Sequence, residues 1–259
     1  MFSPSLFTSV IDAYLPEPHA SLLNGIIFGV KLKTGSIFYQ QIKIVGLLHL
    51  VVLSGINISM LAAIIGGITR FFGKLISILI TILTVIIFIV FVGAQAPIIR
   101  AGVMGLLTLV GIISRRKTYP FLLLLLSLFF ILIVWPQWFK SISLYLSYAA
   151  TVGILLFGQT RSNNEIWKEL KISLSAQLFT TPIIFICFKQ ISFIAPLSNL
   201  LVAPIIPPLM IFGFLTAFLG KINYLLGMVP AFICFGLLSY MVWVIETLSK
   251  LPFAFYQFK

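Results

Sequence analysis

From residue 44 onward, apolar residues run in long stretches that end at basic, glycine or proline positions. A helix needs ~18–20 apolar residues to cross a ~30 Å hydrocarbon core. Stretches of about that length cover 44–69, 75–92, the segment after GAQAPIIRAG up to 114, 118–134, 142–157, 172–188, 197–219 and 224–248. This pattern predicts about eight spans, by the same length criterion. Runs such as FLLLLLSLFFILIV lack the alternation of a membrane strand, so the spans are read as helices. The fold expected is an all-α, polytopic membrane helix bundle with proline-broken or re-entrant segments. The shorter run 21–33, SLLNGIIFGVKLK, ends at a basic turn and reads as an interfacial or half-buried helix. One domain over 1–259 is the economical division: an N-terminal segment 1–43, a bundle 44–248 and a tail 249–259.

Composition sharpens that picture. Only 8% of the 259 residues are charged, against roughly 25% in soluble domains, and mean hydropathy is +1.18. Too few charges exist to cover a water-facing surface, so most of the exterior must meet lipid. Lys and Arg number 17 against five acids, for a net charge of +12. Basic loops orient membrane proteins, and the set holding Arg70, Lys74, Arg115, Arg116, Lys117, Arg161, Lys168, Lys171 and Lys221 is expected on the cytoplasmic side. Both termini then lie outside. The charge-mixed stretch RSNNEIWKELKIS, where Glu165 shares a helical face with Lys168 and Glu169, reads as an amphipathic loop helix on the membrane surface. Cys187 and Cys234 sit in apolar runs and behave as small hydrophobes. The N-terminus lacks the basic-then-apolar order of a cleavable signal.

Polar groups inside spans are costly, and three places carry them. GLLHLVVLSGINISML holds His49, Ser54, Gly55 and Asn57. On a continuous helix His49 and Asn57 lie about 80° apart, and Ser54 falls on the opposite side from His49. A break at Ser54–Gly55 would let them converge on a wet cavity, where irregular backbone is tolerated. GAQAPIIRAG places Pro97 in a first helical turn and Arg100 one turn into the membrane, either snorkelling to headgroups or facing water. The third place combines SLSAQLFTTPIIF with PLSNLLVAPIIPPLMIF. It carries Gln177, Thr180 and Asn199, and the helix-breaking candidates Pro182, Pro204, Pro207 and Pro208. Transporters use such broken helices to build sites, although kinked packing explains them as well.

No phosphate-binding loop, H-E-x-x-H pattern or Cys/His cluster occurs, so no catalytic residue, metal or cofactor is assigned and no enzyme activity is expected. An intramembrane Ser–His hydrolase would require Ser54 to meet His49 within ~3 Å, and no G-x-S-G elbow accompanies them.

In order along the chain, GLLHLVVLSGINISML, GAQAPIIRAGVMGLL, LYLSYAATVGILLFG and SLSAQLFTTPIIFICFKQISFIAPLSNLLVAP resemble the competence domain of the ComEC/Rec2 family of DNA-uptake channel proteins. The resemblance covers nearly all of the chain after residue 20 or so. Position by position it implies site roles for His49, Ser54, Gly55 and Asn57. It extends them to Arg100, Ala101 and Met104, to Gln177, Thr180 and Pro182, and to Ser192, Pro196, Asn199 and Pro204. Asn57 stands where many members carry histidine. The activity implied is passage of single-stranded DNA across the bacterial inner membrane during natural transformation. Full-length members often add an OB-type domain and a metallo-β-lactamase-like nuclease. No H-x-H-x-D-H pattern is present here, so separate DNA-binding, nuclease and motor proteins of the competence machinery are the partners implied, beside single-stranded DNA and membrane lipids. A small-solute or lipid transporter with a midplane polar site is the alternative reading of the same residues.

Overall fold

The computed structural model describes residues 4–51, 54–159, 164–251 and 255–257. Thirteen α-helices follow one another: α1 (Ser5–Tyr14), α2 (His19–Phe28), α3 (Ser36–Ile44), α4 (Leu48–Val51), α5 (Gly55–Thr69), α6 (Lys74–Val92), α7 (Ala96–Ile113), α8 (Pro120–Val134), α9 (Ile142–Gly153), α10 (Glu165–Phe188), α11 (Ala195–Val202), α12 (Ile206–Ile222) and α13 (Tyr224–Ser249). Two short strands, β1 (Gln190–Ser192) and β2 (Phe255–Gln257), pair antiparallel with Ile191 opposite Tyr256. The protein is therefore an α-helical, multi-pass membrane protein, as its apolar runs predict. Five helical stretches are long and apolar enough to span: Lys74–Val92, Ala96–Ile113, Ile166–Phe188, Ala195–Ile222 and Tyr224–Ser249. The remaining apolar runs form shorter helices, among them Pro120–Val134 and Ile142–Gly158.

Helix α6 shows the inverted pattern of a lipid-facing element. Ser77, Ile78, Thr81, Val85 and Phe88 are buried, while Leu79, Leu83, Ile87 and Val90 are more than half exposed. The inward stripe is more polar than the outward one. Its hydroxyls are satisfied locally: Ser77 bonds the Thr69 hydroxyl at 2.9 Å and the Gly66 carbonyl at 3.2 Å, and Thr81 donates to the Ser77 carbonyl at 2.8 Å. Small hydroxyl residues at a helix contact are the packing signature expected where lipid supplies no hydrophobic driving force.

Contacts gather the chain into two compact units, one of residues 1–53 with 188–259 and the other of residues 54–187. In the first, α12 and α13 form an antiparallel pair against which α1, α2 and α3 pack. Helix α2 is more deeply buried than the interfacial or half-buried helix expected over 21–33. Every residue from Ala20 to Phe28 is buried, so no polar face is offered to headgroups. Two of its polar groups find partners inside the unit: the Asn24 amide donates to Asp12 at 2.7 Å and the Ser21 hydroxyl to Glu17 at 2.7 Å. In the second unit α7 is central, packed on α5, α6, α8 and α9.

The proline positions differ in effect. Pro97 sits in the first turn of α7, after an extended Gln95 and a Gly93 whose φ of 98° ends α6. Pro204 lies in a 3-10 turn, Ala203–Ile205, between α11 and α12, and Pro207 and Pro208 open α12. The chain leaves the helix before Pro97, whereas the clustered prolines only tighten one turn of the continuous helical stretch Ala195–Ile222. Pro182 breaks nothing: α10 runs through it from Glu165 to Phe188. One proline removes one helical hydrogen bond, whereas ending the helix there would strip a whole turn of backbone of its partners in hydrocarbon. The same helix absorbs the amphipathic loop helix expected before it. Of that stretch, residues 161–163 and the Glu165 side chain lie outside the described residues.

Candidate functional site

The expected break in the first apolar run is present. Helix α4 ends at Val51, Ser54 is extended (φ −114°, ψ 169°), and α5 starts at Gly55. Ser54 acts on the third residue of α5 in two ways. Its carbonyl accepts the Asn57 N–H at 3.2 Å, and its hydroxyl donates to the Asn57 side-chain oxygen at 3.3 Å. Asn57 is 1% exposed. A buried amide is costly unless bonded, so the S-G-I-N sequence supplies both the break and the partner that stabilises it.

Gly55 brings this helix start against α7. A Cβ at Gly55 would lie 2.5 Å from Arg100 Nη2, 3.0 Å from Ala101 Cβ and 3.2 Å from the Pro97 carbonyl oxygen. The second polar motif, P-I-I-R-A, is therefore folded directly onto the first. Arg100 is half-buried and reaches α9, where its Nη1 donates to the Ser147 carbonyl at 3.3 Å. Its Nε is buried without a hydrogen-bond partner. Among the described residues no carboxylate pairs with it. In the same unit, Ala96, Ile99, Ile131 and Leu144 form an apolar cluster flanked by Trp135, Trp138 and Tyr148. Tyr148 bonds Ser127, at 2.8 Å, and Ser127 donates onward to the Leu124 carbonyl at 2.7 Å. The Arg100 side chain is thus anchored at one nitrogen, through Ser147.

Gln177 and Thr180 belong to the same unit on α10. Gly153 of α9 meets this helix, since a Cβ there would run into the Ser175 carbonyl and lie 2.9 Å from Phe179. Thr180 spends its hydroxyl on its own helix, bonding the Ala176 carbonyl at 3.0 Å and that of Gln177 at 3.4 Å. In this arrangement the hydroxyl is satisfied within α10.

His49 and Asn199 fall in the other unit. His49 is exposed, and its Nδ1 lies 2.9 Å from the Gly46 carbonyl. A carbonyl only accepts, so Nδ1 carries a proton in this contact. The turn that holds His49 is gripped by the fourth motif. The Ser198 hydroxyl, fully buried, donates to the Val45 carbonyl at 2.6 Å, and Ser192 donates to the Ile44 carbonyl at 2.7 Å. Gly46 (φ 75°) fits beneath α11 because a Cβ there would stand 2.6 Å from Ala195 Cβ. Ser198 and Gly46 carry this arrangement, and sequence reasoning singled out neither. Their only signal was proximity, Ser198 beside Asn199 and Gly46 three residues before His49. Asn199 itself is half-buried on α11, and its carbonyl accepts the Ala203 N–H that ends the helix.

Among the described residues no group of three or more His, Cys, Asp or Glu side chains gathers as a metal site. What the 54–187 unit offers is a cation with spare donors, a buried amide and a glycine-floored approach, which is chemistry for holding an anion by hydrogen bonds and charge.

Comparison with known proteins follows the same residues. The family profile described as "Competence protein" matches residues 26–259. A protein of Aquifex aeolicus (strain VF5), described as uncharacterized, is 31% identical over 165 residues, covering 63% of this chain and 38% of its own. The ComE operon protein 3 of Bacillus subtilis (strain 168) is 24% identical over 210 residues, covering 76% of this chain and 26% of its own. The chain thus spans well under half the length of either relative. No solved structure matches it.

Proposed function

This chain belongs to the competence protein family, and from that premise we propose that it forms part of an inner-membrane path for single-stranded DNA in natural transformation. Membership points to a role in DNA uptake; the channel role is the reading favoured by the chemistry of the 54–187 unit. Each phosphate of a DNA strand carries a charge whose transfer to dry hydrocarbon would cost tens of kcal/mol by Born estimates. A path must therefore be wet and must offer donors at membrane depth.

The observation that carries the reading is Arg100. Its guanidinium has five N–H donors, of which one described bond, to Ser147, uses Nη1 while the buried Nε has no partner. A cation held without a carboxylate in a spanning helix suits a transient anionic guest, since a permanent counter-charge would compete with each passing phosphate. Arginine offers a planar fork that matches phosphate oxygens. Gly55 lets the guanidinium pack directly on the start of α5.

The test is replacement of Arg100 in the host that encodes the chain. Arg100→Ala is expected to lower uptake of labelled DNA at least tenfold, roughly the ~1.5–3 kcal/mol of a charge-assisted hydrogen bond, with membrane abundance unchanged. Arg100→Lys should restore part of it. Unimpaired uptake in Arg100→Ala at normal abundance would remove the channel reading. Purified protein should also bind single strands in a salt-sensitive way, each neutralised phosphate adding about −0.7 to the slope of log K against log salt.

A further inference from the structure

We propose that the junction of α9 and α10 is a binding site for one anionic phospholipid. At its C-terminal end α9 passes into a π-helical turn, Ile154–Gly158. Such turns widen a helix and recur at functional sites. Here the widened turn and the first turns of α10 enclose an open groove of about 310 Å³, lined by Ile154, Leu155, Gly158, Gln159, Lys168 and Ile172. That volume falls at the lower end of small-molecule sites.

The lining is ordered by depth. Ile172 lies one helical turn beyond Lys168 on the same face of α10, so the ammonium stands above the apolar floor. Trp167, 61% exposed, flanks Lys168 as an interfacial aromatic. Lys171 donates to the Gln159 carbonyl at 2.7 Å, tying the end of the π-turn to α10 and holding the mouth in place. Gly158 keeps the floor clear: a Cβ there would press on Ile154 at 3.1 Å and approach Ile172 at 3.8 Å. The occupant that fits has a chain for Ile154, Leu155 and Ile172 and an anionic head for Lys168. A phospholipid satisfies both demands in one molecule. Free phosphate or a DNA strand satisfies only the second and would leave the apolar floor unfilled. The sequence places this basic loop on the cytoplasmic side, the leaflet where anionic headgroups draw juxtamembrane lysines.

The experiment is lipid titration of delipidated, detergent-purified protein followed by native mass spectrometry, with no DNA present, so its outcome is independent of the channel reading. Phosphatidylglycerol is expected to bind about fivefold tighter than phosphatidylcholine of the same chains, the size of one lysine–headgroup attraction. Lys168→Gln should bring the two lipids to parity, and Lys168→Arg should keep the preference. Ile172→Trp, which fills the floor, should weaken both lipids. Equal binding of the two lipids to the unsubstituted protein, or an undiminished preference in Lys168→Gln, overturns the proposal. So does displacement of phosphatidylglycerol by inorganic phosphate or a single-stranded oligonucleotide at matched charge concentration. Should Ile172→Trp not fold, the Lys168 pair of variants still decides.

Discussion

Gly55→Ala tests the junction of the first two polar motifs most directly. The added methyl would stand 2.5 Å from Arg100 Nη2, 3.0 Å from Ala101 Cβ and 3.2 Å from the Pro97 oxygen. Ordinary contacts between such atoms lie near ~3.5–4.0 Å, so the overlap is about 1 Å against Arg100 and about half that against Ala101. Arg100 can swing away, because its contacting atom is the far end of a flexible side chain. Doing so gives up the bond to Ser147, already long at 3.3 Å. Ala101 and Pro97 belong to the helix itself and yield only if α7 shifts on α5. Overpacking of this kind costs ~1–3 kcal/mol, and the usual benefit of alanine over glycine inside a helix, ~0.5–1 kcal/mol, offsets part of it. A net loss of about 1–2 kcal/mol follows from these ranges. In the Arg100→Ala background the nearest clash disappears while the 3.0 and 3.2 Å contacts remain. The Gly55→Ala penalty should then shrink, with a coupling of about 1 kcal/mol. The assay is a double-mutant cycle of denaturant midpoints in one detergent, all four proteins checked for equal membrane insertion. A Gly55→Ala change below about 0.3 kcal/mol would refute the close approach. An identical penalty in both backgrounds would refute the placement of Arg100 over Gly55.

Three further outcomes follow from the geometry. Gly46→Ala should cost more than Gly55→Ala, because φ of 75° adds ~1–2 kcal/mol of left-handed strain to a 2.6 Å approach to Ala195 Cβ, and Ala195→Gly should recover the packing part alone; unfolding midpoints of the three proteins check this. Ser198→Ala leaves the Val45 carbonyl without its 2.6 Å donor and should cost ~1–3 kcal/mol by the same measurement. Thr180→Val keeps shape and removes a hydroxyl already spent on its own helix, so DNA uptake should stay near normal and stability should shift by no more than about 0.5 kcal/mol, whereas a strong uptake defect would place Thr180 in the path.

Individual elements show where sequence reasoning reached its limit. The break at Ser54 was legible because a run from 44 to 69 with polar residues on opposing faces cannot be one tidy packing helix. The 3-10 turn at Pro204 was legible because clustered prolines remove several bonds at once, yet Ala195–Ile222 stays one helical stretch through it. A single proline carries no such certainty, and Pro182 rides inside a 24-residue helix. The depth of helix α2 shows a related limit. Its ten residues are too short to span, and length alone suggests an interface, yet its surroundings bury all of its surface after His19. In the fourth motif, Ser198 and Asn199 are neighbours on a helix and point about 100° apart. Only the position of α11 against the 44–46 turn selects the serine.

The sequence by itself determined that lipid surrounds this protein, because 8% charged residues cannot clothe a soluble surface. It also determined where backbone must leave or tighten the helix, through glycine, serine and clustered proline. Those are local properties, set by each residue's own torsions and by what hydrocarbon will accept. Which polar side chains meet was decided only by tertiary structure. Gly55 comes to lie under Arg100 through the packing of α5 on α7, while His49 is held in a different unit by residues some 150 positions away in the chain. An apolar helix surface of leucine and isoleucine is nearly uniform in composition, so hydrophobicity says little about its neighbours. The small and hydroxyl-bearing positions that fix helix contacts show their purpose only once the partner helix is in place.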